Sequence, residues 1–261
     1  MLADELIELH ARPREVPPFT FRDPGLSPDQ GYAASLALHK RRLADGWKPV
    51  GRKIGFTNRT IWPRYGVYEP IWGTVYDRTV IAEDDGRARI PLQGLVQPRI
   101  EPEICFGMKS RPRSTDSASL LGAIEWIAHS VEIVQCFHPG WKVKLPDCTA
   151  NNGLHGRLTV GARTPIGAIA DPERTLATFS VTLLCGGEVV DRGCGANVLG
   201  CPLFALSHLL GILERAGAEP LAAGEIVSTG TLTDAHPVKT GERWSTRFEG
   251  LPLDGLSVEF T

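Results

Sequence analysis

Several features of membrane, secreted and nucleic-acid-binding proteins are absent from this sequence. No stretch reaches the ~18 uninterrupted apolar residues of a membrane span. The first residues, MLADELIELHARPREV, contain early acids and no apolar core of signal-peptide type. A formal net charge of -2 gives no electrostatic reason to expect nucleic acid or an anionic membrane as a partner. We therefore expect a cytoplasmic protein that binds neither.

The sequence also has little that would support zinc, serine-hydrolase or nucleotide chemistry. Its six cysteines form no C-x-x-C pair, and its seven histidines form no H-x-H or H-x-x-x-H pattern. G-x-S-x-G and glycine-rich phosphate loops are absent as well. Most of the cysteines lie in apolar runs, which is typical of reduced, partly buried thiols in cytosolic proteins.

The first fifty residues are predicted to be mainly helical. Apolar residues recur at helical spacing before Pro13, at Leu2, Leu6 and Leu9. A second helix is predicted to begin with an N-cap, a first-turn proline and a capping-box partner, which are Ser27, Pro28 and Gln30. That helix should end near Gly46 and bury three side chains, those of Ala33, Leu36 and Leu43.

From Gly51 the pattern changes to short strand-like runs separated by glycine and proline. Two further helices are predicted, one over about Ser117–Ala128 and one that begins at Pro202. Many short strands with few helices favour a twisted, rolled β architecture over a doubly wound parallel sheet. We therefore predict an α+β fold with a rolled mixed β-sheet core, a mainly helical N-terminal segment over 1–72 and a catalytic domain over 73–261.

Two glutamates stand one residue apart in the strand-like segment QPRIEPEICF. Side chains alternate across a strand, so Glu101 and Glu103 should point to the same face, roughly 7 Å apart. Like charges at that distance repel each other unless water or a cation lies between them. Pro102 cannot donate to a β-ladder, which allows the alternative of an edge strand with a solvated polar face.

A third carboxylate, Glu132, lies in the apolar run HSVEIVQCF, where an uncompensated charge would be costly. Three carboxylates on two strands suit a hard divalent ion such as Mg2+ or Mn2+. A salt bridge from Glu132 to Arg99 or to Lys53 explains the same pattern equally well. The residues alone leave both interpretations open.

Two other segments carry candidate polar groups. Lys53 lies between glycines in GRKIGFTN, where a backbone can approach a ligand closely, although most lysines are exposed to solvent. The segment STGTLTDAHPVKTG, residues 228–241, is rich in donors suited to a carboxylate and equally suited to a hairpin turn. Four aromatic residues are candidates for pocket walls or for core positions, namely Trp62, Tyr65, Trp72 and Trp141.

Seven segments resemble, in order and spacing, the family of 2-keto-4-pentenoate hydratases and 4-oxalocrotonate decarboxylases, within the wider fumarylacetoacetate hydrolase superfamily. The resemblance extends from about residue 28 to the C-terminus, and the segments are GRKIGFTN, WGTVYD, QPRIEPEICF, AIEWIAHSVEIV, GANVLGCP, AGEIVSTGTL and EGLPLDGLSVEF. It implies a rolled mixed β fold of fumarylacetoacetate hydrolase type with an N-terminal helical segment.

The resemblance also implies a set of site residues. Glu101, Glu103 and Glu132 would hold Mg2+ or Mn2+. Lys53 would be a catalytic or substrate-orienting group. The substrate carboxylate would be contacted by a loop formed by Thr229, Gly230 and Thr231.

The implied activity is that of a metal-dependent lyase, a hydratase of a small unsaturated 2-oxo acid such as 2-hydroxypenta-2,4-dienoate, in the catabolism of aromatic compounds. One alternative is a 2-oxo acid decarboxylase of the 4-oxalocrotonate type. Another is a C–C hydrolase of acylpyruvates, which would need a His–Glu pair near the metal. A third is a non-catalytic partner subunit. The resemblance further implies a homo-oligomer, or a complex with a homologous decarboxylase or hydratase.

The chain departs from the family pattern at positions that decide the reaction. The stretch that usually reads Asp-Asn-Ala-Ser is here Asn151–Leu154, so a carboxylate and a hydroxyl are missing. The next residue, His155, is expected to substitute as a catalytic group, and Asn152 is expected to bind substrate. In the segment GANVLGCP, Cys201 stands where the family usually has a histidine. In the segment WGTVYD, the usual acid is displaced to Asp77.

Overall fold

The computed structural model describes residues 2–261, apart from the side chains of Arg64 and Tyr65. The candidate wall residue Tyr65 therefore lies outside the described side chains. The α-helices in this part of the chain are α1 (Leu2–Ala11), α2 (Phe19–Arg22), α3 (Pro28–Ala44), α4 (Trp62–Tyr65), α5 (Ser117–Ala123), α6 (Leu145–Ala150), α7 (Pro172–Thr178) and α8 (Pro202–Arg215).

The described strands form two sheets. They are β1 (Pro49–Gly55), β2 (Ile71–Tyr76), β3 (Val80–Ile81), β4 (Arg87–Ile90), β5 (Arg99–Met108), β6 (Ile124–Val134), β7 (His155–Val160), β8 (Thr164–Pro165), β9 (Ser180–Cys185), β10 (Glu188–Cys194), β11 (Ile226–Thr231), β12 (His236–Pro237), β13 (Arg243–Glu249) and β14 (Ser257–Phe260). The larger sheet has the order β2-β1-β11-β5-β6-β7-β3, with β12 beside β5 and β8 beside β6, and the smaller has the order β10-β9-β13-β14-β4. Both sheets mix parallel and antiparallel pairs and the larger one is curled, so the predicted α+β fold with a rolled mixed sheet is confirmed.

Strand β5, which carries the two neighbouring glutamates, lies inside the larger sheet between β11 and β6. The alternative of an edge strand is therefore wrong. Pro102 is tolerated there because the pairing of β11 with β5 is irregular beside it. Regular pairing stops at Ser228 and resumes at Thr231, which faces Glu103.

Helix α3 begins with the predicted capping box, but its buried face is not the predicted one. The Ser27 hydroxyl accepts from Gln30 N at 3.2 Å, and Gln30 Oε1 accepts from Ser27 N at 2.8 Å. The three side chains expected to be buried, those of Ala33, Leu36 and Leu43, are exposed. The buried positions are instead Gly31, Ala34, Leu38 and Arg42. The reason is close packing on α6, since a Cβ at Gly31 would overlap the Thr149 hydroxyl.

The helix predicted over Ser117–Ala128 is wrong in its second half. Helix α5 ends at Ala123, and strand β6 begins at Ile124. The residues IEWIA pair with β5, where Trp126 faces Gly107. β-Branched and aromatic side chains favour an extended strand, and a strand partner was available on β5.

Helix α8 is confirmed and contributes to the largest hydrophobic core. The stretch Gly195–Arg215 is long and apolar enough to cross a membrane by length and composition, with 21 residues and a mean hydropathy of 1.7. A share of 56% of its 18-residue apolar window is buried, and Leu203, Leu206 and Leu209 are fully enclosed in the core. Packing inside the fold therefore explains its apolar composition.

The predicted N-terminal segment 1–72 is mainly helical, and it also contains β1. This strand is hydrogen-bonded between β2 and β11 in the larger sheet, so the segment supplies part of the sheet that carries the site. The domain division at residue 72 stays a prediction.

Candidate metal and substrate site

Strands β5 and β6 bring the three expected carboxylates together. Glu101 faces Glu132 across the ladder between these strands, and Glu103 faces Ser130. One carboxylate oxygen of each glutamate lies within 4.8 Å of those of the other two. Glu103 and Glu132 are fully buried, whereas Glu101 is partly exposed. The cluster therefore has two enclosed members and one that is accessible.

Strand β11 holds Glu103 through one of its two oxygens. Oε2 accepts hydrogen bonds from Ser228 Oγ at 2.5 Å and from Gly230 N at 3.0 Å. Gly230 has a φ of +100°, and a Cβ there would overlap the Thr57 hydroxyl, so glycine is required. Glu103 Oε1 is buried and accepts no hydrogen bond from the described residues. This oxygen is left available to a cation.

The ring of His155 supports the Glu132 carboxylate through a hydrogen bond. Glu132 Oε1 lies 2.8 Å from His155 Nδ1, and His155 Nε2 lies 2.8 Å from Thr79 Oγ1. Burial, reinforced by the nearby charge of Lys53, lowers the pKa of His155 well below its ordinary value. The ring thus bridges the Glu132 carboxylate and the Thr79 hydroxyl, which itself donates to Tyr76 O at 2.9 Å. Both ring nitrogens are thus engaged inside the protein.

Lys53 approaches the cluster from strand β1. It is 2% exposed, so the solvent-exposed alternative is wrong. Its Nζ donates to Gly153 O at 3.0 Å and forms an ion pair with Glu132 Oε2 at 3.2 Å. Of the two salt-bridge partners considered for Glu132, Lys53 is therefore the one observed, and Arg99 instead stacks on Trp141.

The charges in this cluster do not balance. Burial raises the pKa of Glu101 to about 8, with Lys53 opposing and the other carboxylates adding to the shift. Burial, and then the Glu132 charge, raise the pKa of Glu103 to about 8. Burial tends to lower the pKa of Lys53, but the three glutamates together raise it above its ordinary value. One lysine thus faces three acids, two of which take up protons near neutral pH unless a further cation compensates them.

The residues present fit a hard divalent ion. All three donors are carboxylate oxygens, which such ions prefer. Apart from the Lys53 ion pair, Glu132 Oε2 accepts no hydrogen bond within the described part of the chain, and Glu103 Oε1 accepts none either. A cation between these oxygens would satisfy both. The ion-pair and metal interpretations are therefore compatible, because Lys53 neutralises only part of the charge.

A small cavity of about 60 Å³ lies against Glu101 and Lys53. That is space for about four water molecules. Its walls are mostly apolar and include Ile54, Ile71, Val134, Val143 and Leu154. Polar groups also reach it, from Thr57, Asn58, Arg99 and Thr231. The dimensions suit a small acid rather than a bulky substrate.

The three residues of the expected carboxylate-binding loop occupy different places. Thr231 lines the cavity, and its Oγ1 donates to Thr233 O at 2.9 Å. Gly230 does not line the cavity, and its N–H donates to Glu103 Oε2. Thr229 Oγ1 donates to Ile104 O at 2.9 Å and is buried.

Asn152 does not line this cavity. Its side chain accepts from Thr74 N at 2.8 Å and donates to Thr74 O at 2.9 Å. It lines a larger cleft of about 520 Å³, together with Trp72. In this position Asn152 fixes the turn that presents the carbonyl of Gly153 to Lys53.

Of the remaining candidates, Trp141 lines the small cavity, whereas Trp62 packs against the main core. His155 is not among the residues that line the cavity. Its contact with Glu132 makes it a residue that positions a carboxylate.

Three residues of this arrangement were not identified from the sequence, namely Ser228, Thr79 and Gly153. Ser228 opens the donor-rich segment 228–241, so a signal existed for it. Thr79 and Gly153 make contacts across 76 and 100 residues of chain, respectively. No local pattern marks such contacts.

Comparison with other proteins finds relatives that match over most of the chain. The 2-hydroxyhexa-2,4-dienoate hydratase of Comamonas testosteroni is 30% identical over 250 residues, which cover 95% of this chain and 92% of that protein. The 2-keto-4-pentenoate hydratase 2 of Dechloromonas aromatica is 34% identical over 225 residues, which cover 85% of this chain and 83% of that protein. No family model matches the chain.

Solved structures share all or part of the fold. The 4-oxalocrotonate decarboxylase from Pseudomonas putida G7, complexed with magnesium and adipate, superposes with a TM-score of 0.90 and 27% identity, covering 100% of this chain and 96% of that one. Fumarylpyruvate hydrolase from Pseudomonas aeruginosa, in complex with Mn2+ and pyruvate, has a TM-score of 0.59 and 14% identity, covering 80% of this chain and 88% of that one. The second likeness concerns the fold alone.

Proposed function

Because the chain belongs to the 2-keto-4-pentenoate hydratase family, we propose that it is a metal-dependent lyase that adds water to a small unsaturated 2-oxo acid such as 2-hydroxypenta-2,4-dienoate. The observation that carries the proposal is the carboxylate cluster with a buried lysine at the wall of a small, mainly apolar cavity. A 2-oxo acid offers a carboxylate and a keto oxygen side by side. Such a pair of oxygens suits a cation held by carboxylates.

Mg2+ or Mn2+ is the proposed cofactor. The solved decarboxylase is complexed with magnesium, and the more distant hydrolase with Mn2+. Glu101, Glu103 and Glu132 would hold the ion. When bound, it would supply Lewis acidity at the carboxylate and keto oxygens of the substrate.

Lys53 is the proposed group that holds and moves the proton. Its Nζ is anchored between Gly153 O and Glu132, beside the cavity. From there a protonated Nζ can donate a hydrogen bond to the oxygen at C2 of the substrate and give a proton to C5, and it is reprotonated by the O–H proton that the dienol loses as it becomes a ketone. The apolar walls exclude bulk water, so the proton transfer and the added water are confined to the reacting carbons.

A 2-oxo acid decarboxylase of the 4-oxalocrotonate type is the second candidate. It is favoured by the superposition of the solved decarboxylase over the full chain. The same Lys53 hydrogen bond at the C2 oxygen would stabilise the charge that develops there when carbon dioxide leaves.

The other two alternatives have less support. A hydrolase would need a His–Glu pair that activates water in the cavity. The His155–Glu132 pair does exist, but both nitrogens of the ring are engaged and the ring does not line the cavity. A non-catalytic subunit would have no need to keep Lys53 buried against three carboxylates.

The test is turnover of 2-hydroxypenta-2,4-dienoate and of 4-oxalocrotonate by the purified chain with Mg2+ or Mn2+. We expect hydration of the dienoate, loss of activity with a chelator, and a fall in kcat/KM of about 100-fold or more for Glu103→Gln. Glu125→Gln is the matched control, because Glu125 is exposed on the same strand as Glu132. Carbon dioxide release from 4-oxalocrotonate without hydration would favour the decarboxylase, and no turnover of either acid by the metal-loaded protein would contradict both.

We further propose a cytoplasmic homo-oligomer, with the alternative of a complex with a homologous decarboxylase or hydratase. All six cysteines are free, which suits a reducing compartment. Native mass spectrometry of the purified chain, alone and mixed with such a homologue, measures the assembly.

A further inference from the structure

Three bulky apolar residues at the wall of the small cavity have left-handed backbone conformations. The φ angle is +55° at Phe56, +58° at Trp141 and +67° at Leu154, and all three residues line the cavity. Bulky residues rarely adopt such conformations, and strain of this kind clusters at functional sites, where the surrounding structure requires it. Within the described part of the chain one other large apolar residue has a left-handed φ, namely Leu199 at +53°. The strained apolar residues are thus concentrated at the cavity.

The backbone of Leu154 is held on both sides. Its N–H donates to Asn151 O at 2.8 Å, and its carbonyl accepts from Gln135 N at 2.9 Å. The preceding residue, Gly153, presents its carbonyl to Lys53 Nζ at 3.0 Å. Leu154 therefore follows directly after the residue that anchors the proposed proton donor, and its backbone is fixed beside that donor.

The side chain of Leu154 forms part of the apolar wall of the cavity. It is buried and packs in one hydrophobic cluster with Ile71 and Val134, which line the cavity as well. Glu101 and Lys53 bring charged groups to the same cavity. An acid whose carboxyl and keto oxygens lie at these charged groups has to place its carbon tail against the apolar cluster. The room for that tail ends at these side chains.

We propose that Leu154 sets the length of the carbon tail that the site accepts. This assignment rests on the proposed function and specifies which 2-oxo acids enter the site. The family pattern usually has a serine at this position, and leucine replaces its hydroxyl with an isopropyl group that occupies space in the cavity wall. Acids with short tails fit, and longer tails collide with the leucine side chain. Apolar pockets distinguish ligands that differ by one methylene group about 10- to 200-fold, so one side chain is enough to impose this limit.

The test compares 2-oxopentanoate with 2-oxoheptanoate, which share the chelating end, differ in tail length and have no double bond to hydrate. Titration calorimetry with the Mn2+-loaded protein measures their dissociation constants, together with that of oxalate, which has only the chelating end. We expect wild type to bind 2-oxopentanoate at least about 10-fold more tightly than 2-oxoheptanoate. Leu154→Gly should reduce that preference at least about 10-fold and leave oxalate binding unchanged, because it shortens the wall and glycine adopts a φ of +67° without strain.

Leu154→Ser deletes less of the side chain and should shift the preference in the same direction. It decides the matter if Leu154→Gly does not bind oxalate. Leu199→Gly is the matched control, because Leu199 is also a buried leucine with a left-handed φ but does not line the cavity. Its preference for 2-oxopentanoate should equal that of wild type.

Equal binding of the two 2-oxo acids by wild type, or an unchanged preference in the Leu154 variants, would overturn the assignment of Leu154, while oxalate binding leaves the proposed function intact. The same change of preference in Leu199→Gly would also overturn it, since relief of backbone strain would then be the cause. Failure of all three ligands to bind wild type would overturn both proposals.

Discussion

The two carboxylate oxygens of Glu103 have different environments, and this difference suits the residue to coordinate a metal ion through one of them. Oε2 is saturated by Ser228 and Gly230, whereas Oε1 is buried with no hydrogen bond from the described residues. Partners that hold a metal ligand orient it and tune its affinity for the ion. Ser228 would therefore influence a bound metal ion through Glu103 without touching the cavity.

We expect Ser228→Ala to weaken metal binding by about 10- to 100-fold, because Glu103 would lose its shortest hydrogen bond. Calorimetric titration with Mn2+ measures the effect. Ser257→Ala, at an exposed position of β14, should bind Mn2+ as wild type does. An unchanged affinity in Ser228→Ala would show that Glu103 needs no such support.

His10 couples the stability of the N-terminal helices to pH. Its Nδ1 lies 3.2 Å from Arg42 Nη2, and since a guanidinium only donates, Nδ1 accepts and the ring is neutral. Burial, reinforced by the Arg42 charge, lowers the pKa of His10 from 6.5 to about 3. Between these two values the unfolded chain binds a proton that the folded chain does not. The contribution is therefore complete above pH 6.5 and is lost as the pH falls.

Urea unfolding at pH 7.5 and at pH 5 tests this coupling. Over that interval wild type should lose about 2 kcal/mol more of its free energy of unfolding than His10→Gln does. Equal losses in the two proteins would mean that His10 titrates in the folded state as it does in the unfolded one.

At the scale of single residues, the sequence could identify the chemically unusual ones. Glu132 was recognisable because an acid inside an apolar run requires compensation. The burial of Lys53 was not recognisable, since its partners Glu132 and Gly153 are distant in the chain. The same distance hid the contact between His155 and Thr79.

Strand β11 shows how an element can serve a site through an irregularity. Its pairing with β5 is regular up to Ser228 and is interrupted before Thr231. The interruption turns the N–H of Gly230 away from the ladder and toward Glu103. A β-bulge of this kind redirects a polar group without ending the strand.

Gly230→Ala should destabilise the fold by about 2 kcal/mol or more and also weaken Mn2+ binding, because the new Cβ overlaps the Thr57 hydroxyl at a φ of +100°. Gly241→Ala is the control, since Gly241 has a φ of +88° with open space around its Cβ position. It should cost only about 1 kcal/mol and leave Mn2+ affinity unchanged. Urea unfolding and calorimetric titration measure the two effects, and similar results for both variants would contradict the role given to the bulge.

The elements that sequence patterns missed are those whose type is decided by a partner. The segment after Ala123 has apolar spacing compatible with a helix, but it extends β6 because β5 is there to pair with it. The buried side of α3 was likewise set by the close approach of α6 at Gly31. Its start at Ser27 was predictable, because a capping box is a local interaction.

Across the whole molecule, we expect the carboxylate cluster to make stability depend on a cation. Three clustered acids, two of them fully buried, repel each other in the folded state, and the unfolded chain has no such cluster. An ion that binds only the folded protein stabilises it by mass action. The fold and the site are therefore linked thermodynamically.

Mn2+ or Mg2+ at 100 times its dissociation constant should raise the free energy of unfolding by about 2.7 kcal/mol and Tm by roughly 5–10 °C. Differential scanning calorimetry measures the shift. Glu103→Gln should lose most of it, and Glu125→Gln should keep it. A shift that survives in Glu103→Gln would place the stabilising ion elsewhere.

The sequence by itself determined the fold class and the helix start at Ser27, and it marked three carboxylates as chemically unusual, whose joint role was implied by the family resemblance. These depend on local periodicity, local capping and the cost of an isolated charge, all of which act within a short stretch of chain. Only the tertiary structure decided that Lys53 is buried, that His155 supports Glu132, and that Leu154 lines the cavity. These facts depend on which strands lie side by side, and that pairing is set by packing across the whole chain.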